Sequence, residues 1–112
     1  VNSTKIVTCT FTDSDANQLK DFSDMIKQQV PSVAVCVGST SNGSASVVVG
    51  VSNDLIAKGI KANELIKDIA PLINGGGGGR PELAQAGSKE PEKLPNAVTQ
   101  ARQIIKRKLQ KL

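Results

Sequence analysis

Five consecutive glycines, Gly75 to Gly79, lie well inside a chain of 112 residues and run directly into Arg80 and Pro81. Glycine loses more backbone freedom on ordering than any other residue. Such a run inside a folded unit is therefore costly, unless its bare peptide groups make contacts that side chains would block. Proline suits the first position of a helix. A helix starting at Pro81 would bring free N–H groups, the positive end of the helix dipole and the Arg80 guanidinium to one place, which is an anion site suited to phosphate. A glycine-rich binding loop over residues 74–80 and about two helical turns over Pro81 to Ala86 are the expectation.

A flexible linker would have the same composition. A linker, however, separates units that each fold, and the segment beyond the glycines is too short to bury a core of its own. The run is not a Walker loop. No Lys-Ser or Lys-Thr pair follows it, and it comes after a helical pattern, where a dinucleotide fingerprint would follow a strand. No nucleotide cofactor is expected, and no metal: the chain has no histidine, and its two cysteines lack CxxC spacing.

The glycines have to be accommodated in one small domain, residues 1–112, with two Phe and neither Trp nor Tyr. Its core must be built from Val, Ile, Leu and Ala, which suits a compact α/β sandwich and argues against a deep aromatic-lined ligand pocket. Cys9 and Cys36 fall inside apolar runs and read as small buried hydrophobes. The net charge is +4 and unevenly spread: residues 61–112 hold ten of the 14 cations and five of the ten carboxylates. Polyanions are plausible partners for so basic a half. No apolar run is long enough for a bilayer span and no secretory leader opens the chain, so a cytoplasmic protein without membrane contacts is expected. The abrupt start at a strand suggests a fragment of something longer.

Lys5 to Phe11 alternates with period two, placing Val7, Cys9 and Phe11 on one face of a strand. Leu19, Phe22, Ile26 and Val30 follow helical spacing, with Asp13 and Ser14 as candidate caps and Pro31 as the stop. Val33 to Gly38 and Ala45 to Val51 are Val-rich strands joined through Asn42-Gly43, a strong hairpin signal. Ala62, Leu65, Ile66, Ile69 and Ile73 form a second helical stripe, disturbed near its end by Pro71. Gly87 to Lys93 reads as a polar connection. Pro95 then restarts a helix whose stripe is Val98, Ala101, Ile105, Leu109 and Leu112, with Arg102, Lys106, Arg107 and Lys111 on the flanks. The order β-α-β-β-α-α predicts an α/β fold of the α+β type, a small mixed sheet of three or four strands with helices packed on it.

Catalysis is not expected, because nothing here can transfer a proton at neutral pH in the way a histidine does and no serine or cysteine has a partner base at recognisable spacing. The cations flanking the last helix can serve simply as a solvated face. If they bind nucleic acid, structured RNA or duplex fits better than a single strand, since Phe11 and Phe22 are expected in the core, where they would leave no stacking platform.

The segment Gly77-Gly78-Gly79-Arg80-Pro81-Glu82-Leu83-Ala84-Gln85-Ala86-Gly87 closely resembles the glycine-rich signature near the C-terminus of alanyl-tRNA synthetases. Val49-Gly50-Val51-Ser52, Lys61-Ala62-Asn63-Glu64-Leu65-Ile66 and the closing helix are similar to the same family. The likeness runs from Lys5 onward. It implies the C-terminal globular region called C-Ala, related to the accessory domain of DHH-type phosphoesterases. In the family that region is non-catalytic, contacts the outer corner of tRNA and supports aminoacylation and editing. It also implies tRNA and the other synthetase domains as partners. Dimerisation, where it occurs, would use a helical segment preceding Val1. Two departures stand out: Gly76 replaces a common lysine and Ser88 a common glycine, which leaves the charge of the loop to Arg80. The candidate RNA contacts are then Gly75, Gly76, Gly77, Gly78, Gly79, Arg80 and Gln85 in the signature, with Arg102, Lys106 and Arg107 on the closing helix. The competing class is a protein interaction or dimerisation module of the same synthetase.

Overall fold

In the computed structural model, which describes residues 4–41 and 43–111, the period-two pattern of the first segment becomes strand β1 (Lys5–Thr12). Its Val7 and Cys9 pack to one side of the sheet and Ile6 to the other. Asp13, in left-handed backbone at φ 59°, turns the chain into α1 (Ala16–Gln29). The cap is Asp15 rather than Asp13 or Ser14. Its carboxylate accepts from the Gln18 N–H at 2.8 Å, while the Gln18 amide oxygen accepts from the Asp15 N–H at 2.9 Å. These reciprocal bonds satisfy two donors that the first helical turn would otherwise leave open. Val30, just before Pro31, is extended and ends the helix.

Strand β2 (Val33–Ser41) returns parallel to β1, and β3 (Ser44–Val51) folds back antiparallel on β2. Gly43 in the connecting turn has φ +75°, the conformation that a hairpin of this kind reserves for glycine; Asn42 lies outside the described residues. A short α2 (Asn53–Ala57) leads to α3 (Ala62–Ile69), and from Ala70 to Ile73 the chain tightens into a 3₁₀ turn containing Pro71. After a second such turn at Pro91–Lys93, α4 (Leu94–Gln110) buries Leu94, Ala97, Val98, Ala101, Ile105 and Leu109; Leu112 is outside the described residues.

Two segments depart from expectation. Gly76–Gly79 is a strand, β4, and Leu83–Ser88, where two helical turns were expected, is a strand, β5. The sheet therefore has five strands in the order β1-β2-β3-β5-β4. Ala84 and Ala86 are buried against the core and Gln85 faces out, so the segment obeys a period of two that its short apolar residues disguise. Pairing with β3, from Ala45↔Ser88 to Gly50↔Leu83, overrides the modest helical preference of this segment.

The sheet divides the core. On one side α1 covers Val33, Val35, Val37 and Val48 through Leu19 and Phe22, while Phe11, expected in the core, is exposed near the end of β1 and meets Phe22 edge-on at 5.2 Å. On the other, α2, α3 and α4 cover Ala34, Cys36, Val47, Val49, Ala84 and Ala86. Gly38 lies beneath the first residue of α4: an added Cβ would sit 2.6 Å from Leu94 Cδ1, so that the end of the leucine side chain would have to shift. Cys36 is fully buried and Cys9 half-buried. No described helix is long and apolar enough to cross a membrane.

Candidate nucleic-acid interface

The glycine signature forms a tight β-hairpin at the sheet edge. Arg80 N–H donates to the Leu83 carbonyl at 2.9 Å and Leu83 N–H to the Arg80 carbonyl at 3.3 Å, closing a two-residue turn of Pro81 and Glu82. Three other elements hold the tip. The Glu82 carbonyl accepts from Val51 N–H (3.1 Å) at the end of β3 and from Lys27 Nζ (3.2 Å) on α1, and the Pro81 carbonyl accepts from Ala62 N–H (2.8 Å) at the start of α3. Pro81 thus begins a turn and not a helix, and the expected anion site at a helix N-terminus does not exist at Arg80. The Arg80 side chain is 82% exposed and lies 3.8 Å from the Glu82 carboxylate.

Left-handed backbone does not explain the run: the described glycines with positive φ are Gly43 and Gly59, outside it. Sterics explain three of the five. A Cβ on Gly77 would fall 2.5 Å from Ala86 Cα and collide with the Gln85 carbonyl oxygen. One on Gly79 would fall 2.5 Å from Ala84 Cα, and one on Gly75 would strike the Gly87 carbonyl. Gly76 and Gly78 are different, since a Cβ there would meet no atom within 4 Å. β4 pairs with β5 alone and is an edge strand. Because Arg80 and Leu83 exchange both bonds, alternation turns the peptide groups of Gly77 and Gly79 toward the open edge.

A cleft of about 390 Å³ lies between this hairpin and α1, walled by Lys20, Asp24 and Lys27 on the helix and by Gly78, Arg80 and Gln85 on the hairpin side. Lys27 is 3.7 Å from Asp24, whereas Lys20 has no ion pair among the described residues. Lys20 and Lys27 were missed in the sequence. Their spacing with Asp24 places all three along one side of α1, but nothing local says that this side meets the glycines.

The remaining expected contacts lie elsewhere. Arg102, Lys106 and Arg107 are exposed on α4, on the opposite face of the sheet from α1. None of the three has an ion pair among the described residues, while neighbouring Lys108 is 3.7 Å from Asp68 of α3. The loop and the basic helix therefore do not converge on one site. No cluster of metal-ligating side chains occurs among the described residues. Among the described residues, two titratable groups are displaced from their ordinary values. Burial pushes the Cys36 thiol up to about 12. Hydrogen bonds from Ser32 and then Ser52 lower the Asp54 carboxyl, which sits in the first turn of α2.

The DHHA1 domain family matches residues 3–107. The alanine–tRNA ligase of Halalkalibacterium halodurans is 44% identical over 93 residues, which are 83% of this chain and 11% of that enzyme. That of Natranaerobius thermophilus is 40% identical over 105 residues, 94% of this chain and 12% of the enzyme. The chain thus spans about a tenth of the length of these relatives. The crystal structure of the C-Ala domain from Aquifex aeolicus alanyl-tRNA synthetase superposes with a TM-score of 0.81 at 32% identity, covering 90% of each chain. The chain belongs to the DHHA1 domain family and, within it, to the C-Ala domains of alanyl-tRNA synthetases.

Proposed function

We propose that this domain is a non-catalytic, cytoplasmic tRNA-binding appendage at the C-terminal end of a longer alanine–tRNA ligase, contacting the outer corner of tRNA so that the acceptor end is presented for aminoacylation and editing. The observation that supports it best is the pinned hairpin of bare peptide groups beside the cations of α1, in a domain of the C-Ala type. A backbone-led surface of this kind can lie close to a sugar–phosphate strand without reading bases. The exposed cations of α4 add long-range attraction. No cofactor is assigned, and the domain takes no part in the chemistry itself.

A second reading draws on the unpaired β4 edge, which could accept a strand from a partner protein or a second copy. Titrating the 112-residue chain with folded alanine-specific tRNA and with an unrelated structured RNA of equal length separates the two. Tighter binding of the tRNA, weakening steeply as salt rises, is the expected result. Equal binding of both RNAs, or affinity unchanged by salt, would turn the assignment toward protein interaction, which sedimentation of the free chain would then show as self-association or its absence.

A further inference from the structure

The cleft between α1 and the β4–β5 hairpin sets cations of a helix against a strand without side chains. We infer that it is a ribose–phosphate subsite, in which Lys20 holds a phosphate, the peptide floor at Gly76 and Gly78 lies against the sugar, and the Gln85 amide recognises the 2′-hydroxyl. This deepens the tRNA-binding reading and rests on it for the identity of the natural ligand.

Three independent observations meet here. First, the cleft is of a size to take one nucleotide unit, and a second recess of about 240 Å³ continues it past Gly78 and Gln85 toward Ser46 and the start of α1. Second, the charges in it are not equivalent. Asp24 and Glu82 are each matched by a cation, Lys27 and Arg80, at 3.7 and 3.8 Å, which leaves Lys20 as the uncompensated charge on the wall. Lys27, also fixed to the Glu82 carbonyl, is a positioning residue that sets the width of the cleft. Third, the floor is barer than the fold demands. Gly75, Gly77 and Gly79 are forced by the backbone of β5, but nothing within 4 Å prevents a side chain at Gly76 or Gly78. The unused space at Gly78 opens into the cleft and that at Gly76 into the second recess.

Gln85 is paired in register with Gly78, so its exposed side chain has no side-chain neighbour across the pair. An amide both donates and accepts, as a 2′-hydroxyl does, whereas a deoxyribose leaves it without a partner. With no aromatic side chain lining the cleft, binding comes from the backbone of the nucleic acid and is indifferent to base.

The test is amide-resolved NMR of the 112-residue chain titrated separately with hexauridylate RNA, its deoxyribose counterpart and folded tRNA, for the parent and for Lys20→Gln, Gly78→Val and Gln85→Leu. All three positions are away from the core, and amide dispersion reports folding directly. Hexauridylate is expected to shift the amides of Gly76 to Arg80 and of Lys20. Lys20→Gln should weaken it about tenfold by removing a charge-assisted hydrogen bond, Gly78→Val should abolish the shifts, and Gln85→Leu should bring the RNA and DNA affinities together. Shifts confined to α4, or folded variants that bind like the parent, overturn the subsite. If tRNA binds but ignores all three substitutions, the subsite is wrong and the tRNA reading stands. If the oligonucleotide responds as expected and tRNA does not bind, the subsite stands and the tRNA reading is wrong.

Discussion

Gly77 and Gly78 are adjacent and chemically identical, yet the structure gives them opposite requirements. A side chain at Gly77 must displace the backbone of β5, whereas one at Gly78 projects into open space. Gly77→Ala should therefore cost about 1–3 kcal/mol, the usual penalty for forcing extra volume into a packed site. Gly78→Ala should be neutral or stabilising by about 0.4–1 kcal/mol, because it restricts the unfolded chain without straining the native one. Urea unfolding of the two variants beside the parent checks both, and equal destabilisation would show that flexibility, rather than steric alternation, accounts for the run. The same contrast explains why Gly78 and not Gly77 is the informative position for binding: only there can cover be added to the peptide without disturbing the hairpin.

Among the elements, β4 and α4 present different kinds of surface. β4 offers fixed peptide dipoles at a sheet edge, held by the ties from α1, α3 and β3 to the turn that follows it. α4 offers charge on flexible stems. Its apolar stripe is buried, and Arg102, Lys106 and Arg107 stand in solvent, so they act at a distance and without geometric selection. Replacing Lys106 and Arg107 together with alanine should leave the melting temperature nearly unchanged, as surface substitutions stay within about 0.5 kcal/mol. It should also flatten the slope of log affinity against log salt by about 0.9 for each phosphate no longer neutralised, for tRNA and for duplex alike. A salt series on the folded double variant decides the matter; an unchanged slope would remove α4 from the interface.

For the molecule as a whole, the interior strand β2 carries a buried ionisable group whose effect is felt only in global unfolding. Cys36 sits between β1 and β3 and under the helices that cover one face of the sheet, and burial raises its thiol from 9.0 to about 12. Its proton is held more tightly in the native state. The contribution is fully present below pH 9 and is lost as pH climbs from there toward 12, at about 1.4 kcal/mol per pH unit. Comparing the stability of the parent at pH 8 and pH 10 with that of Cys36→Ala isolates the group, since the variant keeps every other titration. The parent should lose about 1.4 kcal/mol more than the variant over that interval, and parallel curves would mean that the thiol is solvated.

The sequence alone determined whatever depends on neighbours along the chain. The alternation in β1, the stripes of α1, α3 and α4, the β2–β3 hairpin and the aliphatic core are all local periodicities, and each is present in the structure. The glycine signature carried the family with it, because a long motif of low degeneracy is itself a local feature. What only the tertiary structure decided is what joins distant segments. A glycine strand has no side chains with which to show a period, so β4 was illegible. β5 exists because β3 offers it a ladder, against its own mild leaning toward helix. The candidate site followed the same division. Gly75 to Gly79, Arg80 and Gln85 were legible as one unit, but their placement beside Lys20 and Lys27, and the separation of Arg102, Lys106 and Arg107 onto the far face, follow from which side of the sheet each helix packs. That choice is made by burial of the two apolar faces of the sheet, a property of no single segment.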